Sequence, residues 1–575
     1  MLAIWLGIDL LRARHQLEAA RAGFLSVQAQ VDKGDLAGAR AQLNAPAAAS
    51  HRAGSIVGGL PFRIYSHVPG VSAPVRELRT LAQAVDGIGN QVLPTLLNSD
   101  LRVPRWNGSI DARPFVSAQQ PLAKADAQLS AVLREVAGIK PSGIGALTRA
   151  REQLEAQLTT MARTVREADV AAHVVPALSG QSGRQRYFVA LQNNAEARST
   201  GGLLGAYAIL DIDHGKLRLE HVGQNDELKD PPKPVLDLGA DYNRRYGRLE
   251  STSTWRSANL SPDVPTVGRL LAALWQSQTG ERVDGVVLLD PIALGELISA
   301  TGPVALSDGT ELDESNTAKV LLSGVYARYP SDSQAPRYSF LAETARQAFT
   351  ALSTRQLDGR KVVRQFARAA SSGHLQLWAS APAVQKTLLR SRIAGQLAVD
   401  GPFLSVVTND VGGSKLDFYQ HRTVTYDARS TGIAVDLGDG PQLEEEGVVT
   451  VALDNEAPAG LPNYVVLRPD DPGAPRGQSN TYVSVYAGKG ATLLDATLDG
   501  RPVQLESDVE DGLAVYSLTL PINPGQRRTL RLHVRQPARA EQTLLYRQQP
   551  LFRNDVVQVR RRGSRVPVTY VYAAP

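Results

Sequence analysis

Apolar positions recur at intervals of three and four through the first third of the chain. Leu17, Ala20, Phe24, Val27 and Val31 share one helical face, and Gly34-Asp35 breaks that run. Residues 36–44 predict a second helix that stops before Pro46, because proline lacks the N–H a helix interior uses and restricts the residue before it. Pro61 and Val68-Pro69-Gly70 interrupt the pattern again. Helices are then expected over 78–97, 123–136 and 144–172, the last carrying Leu147, Leu154, Leu158, Met161 and Val165. A helical stalk or bundle over residues 12–182 accounts for these stripes, and its charges read as solvated helix faces.

The period changes at residue 183. Residues 187–191 and 203–212 read as strands, Asp213-His214-Gly215 as a turn, and 216–220 as a half-buried strand of alternating character. An irregular stretch, 223–265, follows; a loop of that length in a compact domain is functional or disordered. Next comes a helix with Val267, Leu270, Leu271, Leu274 and Trp275 on one face, then an apolar strand over 283–289. Asp290-Pro291 opens a helix with Asp as cap and Pro in the first turn, and Gly302-Pro303 stops it. Helices over 314–329, 338–352, 362–370 and 383–390, and a strand over 375–378, complete an α/β domain at 183–400. Beyond Phe403, short strand-like runs separated by Gly, Pro and Asp turns predict an antiparallel β-sandwich of immunoglobulin-like type over 401–575. The fold class expected is multidomain α+β.

Composition narrows the chemistry. The 575 residues exceed one core, and 43% hydrophobic with 21% charged residues describes a globular protein. A net charge of +5 with no nucleic-acid stripe argues against nucleic-acid partners. With no Cys there are no disulfides, thiolate metal sites or cysteine nucleophiles. Met1 to Leu11 is apolar except for Asp9, shorter than the roughly twenty residues a bilayer span needs. It has the look of the second half of a membrane helix, so residues 1–11 are expected to be a partial anchor and the remainder extracytoplasmic, with a buried first helix as the alternative.

No GxSxG, HExxH, P-loop or strand-linked GxGxxG occurs. What remains is the polar stretch between the first two strands of the α/β domain, which includes Asn193, Asn194, Glu196, Arg198, Ser199, Thr200, Gly201 and Gly202. Paired glycines let backbone approach a ligand or aim N–H groups at an anion, and an adjacent arginine can grip phosphate. The plain alternative is that Asn-Asn and Gly-Gly simply make a turn. Arg256, Asn259 and Asp263 precede a helix, Asp284 and Asp290 bracket a strand, and Arg328 and Arg337 flank a loop. Arginine with carboxylate and no nucleophile fits a phosphorylated ligand with a bridging divalent cation. Structural ion pairs are the competing explanation for each residue alone.

The runs LQNNAEARSTGGLLGAY, SANLSPDVP, RVDGVVLLDPIALGELISATGPV and NDVGGSKLDFYQHR resemble a bacterial membrane-anchored family known as a domain of unknown function, DUF4012. The order of parts also resembles the LytR–CpsA–Psr phosphotransferases, which move lipid-linked glycans onto the cell wall. That second resemblance implies that Arg198, Arg328 and Arg337 hold a pyrophosphate as catalytic groups. It also implies that Glu196 helps to bind Mg²⁺; Asp284 is expected as a further metal ligand, and Asn193, Asn194, Thr200, Gly201, Gly202, Arg256 and Asn259 as ligand-binding residues. The Arg-x-Asp-Thr pattern of those enzymes is replaced here by Arg198-Ser199-Thr200-Gly201. The expectation is therefore a membrane-anchored envelope protein. It either transfers a phosphoglycosyl unit from a polyprenyl-pyrophosphate carrier to a wall polymer, or binds a glycan or partner without catalysis.

Overall fold

Helix α1 (Leu2–Asp32) buries Ala13, Ala20 and Val27, one residue in seven, against α2 (Leu36–Gly58). This computed structural model describes residues 2–33, 35–98, 106–330, 334–397, 401–436, 441–538, 544–562 and 568–571. Contrary to the expected stop, α2 continues through Pro46 to Gly58. The reason lies on the facing helix: a Cβ on Gly23 would meet Pro46 Cβ at 2.6 Å, so the buried ring fills the space that glycine leaves. Packing thereby offsets the hydrogen bond proline cannot make. Among the described residues no helix is long and apolar enough to cross a membrane; residues 2–11 are the start of α1.

The chain divides into two compact units, Met1–Val103 with Asp111–Ala177, and Pro104–Ile110 with Leu178–Pro575. The first also holds α3 (Leu60–Tyr65), α4 (Ser72–Gly87), a π turn (Ile88–Val92), α5 (Leu93–Asn98), α6 (Arg113–Ala137) and α7 (Gly145–Leu178). Its core joins Leu81, Ile88, Val92, Leu122, Leu129, Leu158 and Val165, several of them on the predicted stripes.

The second unit opens with strands β1 (Gln185–Arg198), β2 (Gly201–Asp213) and β3 (Lys216–Gln224), then α8 (Ala240–Tyr246), α9 (Val264–Thr279), β4 (Gly285–Leu289) and α10 (Pro291–Thr301). A small hairpin of β5 (Val304–Ala305) and β6 (Glu311–Leu312) leads to one winding built from α11 (Thr317–Lys319), a π turn and α12 (Val325–Arg328). Then come α13 (Ala335–Thr354), α14 (Gly359–Ser371), β7 (Leu375–Ala379) and α15 (Pro382–Leu388). Five strands form one sheet in the order β3-β2-β1-β4-β7, with β1 and β4 parallel. Val286 and Leu288 pack with Leu270, Leu271 and Leu274 of α9, while Val287 and Leu289 face Ala293 of α10 and Ala369 of α14. Helices therefore cover both faces, which is why β4 reads as an unbroken apolar run. Asp290 caps α10 as expected, its Oδ1 accepting the amides of Ile292 and Ala293 at 3.0 Å each.

The remainder is a two-sheet sandwich. Its elements are β8 (Phe403–Asp410), β9 (Gln420–Asp436), β10 (Pro441–Asn455), α16 (Asn463–Val466), β11 (Ser479–Lys489), β12 (Thr492–Leu498) and β13 (Arg501–Pro502). They continue with β14 (Glu506–Glu510), β15 (Leu513–Ile522), β16 (Arg527–Ala538), β17 (Leu544–Arg547), β18 (Val556–Arg562) and β19 (Val568–Val571). The sheets run β13-β12-β16-β10-β9-β18 and β14-β15-β11-β8-β17-β19. Val406, Val483, Tyr516 and Tyr546 from one meet Val424, Tyr426, Val451 and Leu532 from the other. The sandwich is not wholly antiparallel, because the last strands return along outer edges: β17 is parallel to β8 and β19, and β18 to β9.

Candidate functional site

Strands β1 and β2 continue as one hairpin well past Leu191, where the apolar pattern ends. Arg198 pairs with Gly201 across the two-residue turn Ser199-Thr200, and a bulge falls between Asn193 and Ala197. The turn is Ser199-Thr200, whereas Asn193-Asn194 and Gly201-Gly202, the pairs expected to make it, lie within β1 and β2, where the glycines serve backbone geometry. A Cβ on Gly202 would lie 2.1 Å from the Asn193 carbonyl carbon and 2.4 Å from the Asn194 nitrogen, and Gly201 has φ +138°. Polar residues extend the hairpin because each finds a partner outside the five-stranded sheet.

Asp290, Asn259, Asn409 and Asp417 among those partners come from the other runs that carried the family resemblance. Asn194 Nδ2 donates to Asp290 Oδ2 at 2.9 Å and to the Pro550 carbonyl at 3.1 Å, and His374 Nδ1 meets the same Asp290 oxygen at 2.5 Å. Asn259 Nδ2 donates to Thr200 Oγ1 at 3.0 Å and to the Gly202 carbonyl at 2.8 Å. The Ser199 amide donates to Asn409 Oδ1 at 2.9 Å, and that of Ala197 to Asp417 Oδ2 at 2.7 Å. Asn193 Nδ2 donates to Tyr326 Oη at 2.6 Å, and Gln549 Nε2 to the Arg198 carbonyl at 2.8 Å. The hairpin tip is thus plugged into the sandwich.

Charge is concentrated at this plug. Arg198 is buried, with every guanidinium nitrogen engaged. Nε donates to the Arg256 carbonyl at 3.3 Å, Nη1 to the Asp410 carbonyl at 2.6 Å, and Nη2 to Glu196 Oε1 at 3.1 Å. The other Glu196 oxygen is taken by the buried ammonium of Lys415. Burial opposes ionisation of Glu196, but Lys415 and Arg198 outweigh it and hold its carboxyl below the usual range. Burial and then the charge of Glu196 push Asp410 up to about 6, and burial together with Asp410 raises Asp417 well above its ordinary value. Lys415 lies 5.3 Å from the centre of the Tyr464 ring, and Arg337 stacks over the same ring at 4.1 Å. Arg256 is exposed, and its charge still acts on Glu196.

Glu196, Arg198 and Arg256 therefore lie together, with Arg337 over the Tyr464 ring that Lys415 also approaches, and two of the other expected site residues lie elsewhere. Arg328 is held by Asp308 at 2.9 Å and Thr310 at 2.8 Å, on the turn between β5 and β6. Asp284 accepts the Arg186 amide at 2.8 Å, where β1 begins. Ten strand residues, about 30 Å, separate it from Glu196. A shared Mg²⁺ does not fit. The two carboxylates are at opposite ends of β1, both Glu196 oxygens are engaged, and the described residues hold no cluster of three His, Cys, Asp or Glu able to take a metal.

The long stretch after β3 makes a second plug. Arg245 of α8 is almost fully buried in the sandwich, donating to Ser517 Oγ at 3.0 Å and Ser484 Oγ at 2.7 Å, with Glu510 at 3.2 Å. Tyr246, Tyr486 and Ser261 also donate to Glu510, at 2.8, 2.6 and 2.6 Å. Its length serves docking to the sandwich. Sequence reasoning missed Lys415, Asp417, Asn409 and Tyr464 as partners. The first three lie in NDVGGSKLDFYQHR, whose polar spacing within a β-rich region was the available signal.

Residues 182–326 match the family described as a protein of unknown function, DUF4012, and this region belongs to it. No curated protein and no solved structure matches the chain.

Proposed function

We propose that this chain, with its DUF4012 region, is a membrane-associated extracytoplasmic envelope protein that acts as a non-catalytic scaffold, presenting a glycan- or partner-binding surface on a rigid α/β–sandwich body. The observation that carries this reading is the engagement of the hairpin: Arg198 and Glu196 are spent on Asp410, Arg256 and Lys415. Groups already satisfied by protein partners gain little by neutralising a ligand. The resemblance of four runs to a membrane-anchored bacterial family supports the placement at the envelope, and an immunoglobulin-like use of the sandwich fits a binding role.

The test is to incubate the full chain with a polyprenyl-pyrophosphate-linked glycan, magnesium and a wall polymer. The expected result is no transfer, with glycan retention independent of magnesium. Transfer that is lost in Arg337→Ala at an unchanged melting temperature overturns the reading. A second reading, phosphoglycosyl transfer, is favoured by one observation: Arg337 and Lys415 lie over the Tyr464 ring, and the exposed Arg256 acts on Glu196, the partner of Lys415. The exposed guanidinium of Arg256 is the group at this site to which a pyrophosphate would be drawn.

A further inference from the structure

The helical unit carries an apolar surface that its own core leaves uncovered. Helix α3 and the turn after it expose Leu60 (68%), Ile64, Val68 and Val71. On their inner side Phe62 and Val75 are buried with Ala13 of α1 and Val57 of α2. This cluster fixes α3 at the level of Ala13, beside the part of α1 where Ile8, Leu10 and Leu11 (67%) are also exposed. Singly exposed apolar residues are ordinary, but two segments exposing them at one end of a unit mark an interaction surface.

Charge identifies the occupant. No Asp or Glu occurs between Val57 and Arg76, whereas Arg63, His67 and Arg76 do, and Arg63 and His67 are exposed among the apolar residues. Arg12 and Arg14 follow Leu11 on α1, where Asp9 and Glu18 pair with them at 3.5 and 2.8 Å. On α3 and the turn after it, apolar side chains rimmed by cations without carboxylates suit an anionic bilayer surface, where the former enter the headgroup boundary and the latter meet phosphates. We propose that this end of the helical unit seats on an anionic lipid surface, with Leu60, Ile64 and Val68 entering it beside Leu10 and Leu11. The proposal rests on the envelope placement above and adds a second, non-spanning contact.

The full chain is sedimented with vesicles of phosphatidylcholine and phosphatidylglycerol at three to one, and with phosphatidylcholine alone. Binding is expected for the anionic vesicles. Leu60→Asp/Ile64→Asp/Val68→Asp should reduce the bound fraction by at least about tenfold at an unchanged melting temperature, since each change replaces an apolar group with a repelled charge. Ile64→Trp should show a blue-shifted emission on anionic vesicles, an arm that survives if the triple variant fails to fold. If the triple variant binds normally while Leu10→Asp/Leu11→Asp does not, the α3 contact is overturned and the envelope placement stands. No binding by the unaltered chain removes both. A dimer that the triple variant dissolves, without vesicle binding, assigns this face to a second copy and overturns the proposal.

Discussion

Lys415 closes on Glu196 across 219 positions of sequence, and the pair is fully enclosed between the β1–β2 hairpin and the segment after β8. Removing one partner strands the other as a buried charge. Lys415→Met is expected to cost about 3 kcal/mol of unfolding free energy. Adding Glu196→Gln should return part of it. Thermal and denaturant unfolding of the two single variants and the double variant measure the coupling.

Asp410 supplies a pH dependence. Its folded value of about 6 exceeds the ordinary 3.8, so protonation favours the folded state. That contribution is whole below 3.8 and is lost as pH rises through about 6. Asp417, also raised, acts in the same sense, while Glu196 is held low and acts oppositely, only as pH falls below its ordinary range. The melting temperature should therefore rise between pH 7 and pH 5. In Asp410→Asn that rise should shrink, by about 1 kcal/mol across the window.

Gly202 offers a steric test. Gly202→Ala puts a methyl into the Asn193–Asn194 backbone and should cost at least about 3 kcal/mol or prevent folding. Gly247→Ala, with nothing within 4 Å of its Cβ position and φ −60°, should change stability by less than about 1 kcal/mol. Differential scanning fluorimetry of the two variants decides the matter.

Arg245 predicts a local effect. Arg245→Met leaves Glu510 without its buried cation and loosens the three rings the guanidinium packs against. Hydrogen exchange over 225–262 should accelerate by at least about tenfold, while the α9–β4 core keeps its protection.

Wherever local chemistry decides the outcome, the sequence was readable. The α9 face of Val267, Leu270, Leu271, Leu274 and Trp275 is buried as its spacing implied, and Asp290 caps α10. His214-Gly215 makes the β2–β3 turn, both with positive φ. Wherever a distant partner decides, it was not. Glu196 and Arg198 look like ligand residues until Lys415 and the Asp410 carbonyl are beside them. Pro46 reads as a helix stop until Gly23 faces it. Arg328 and Arg337 lie nine residues apart in sequence, yet Asp308 takes one and Tyr464 the other. Periodicity carries no information about such pairings.

The hairpin plug also limits how this protein can be taken apart. Cutting between the α/β layer and the sandwich would expose a tip of unpaired charge on one piece and an empty polar socket on the other. The composition break near residue 400 is therefore a poor place to divide a gene for expression, and recombination there would have to carry both halves along as a single heritable module.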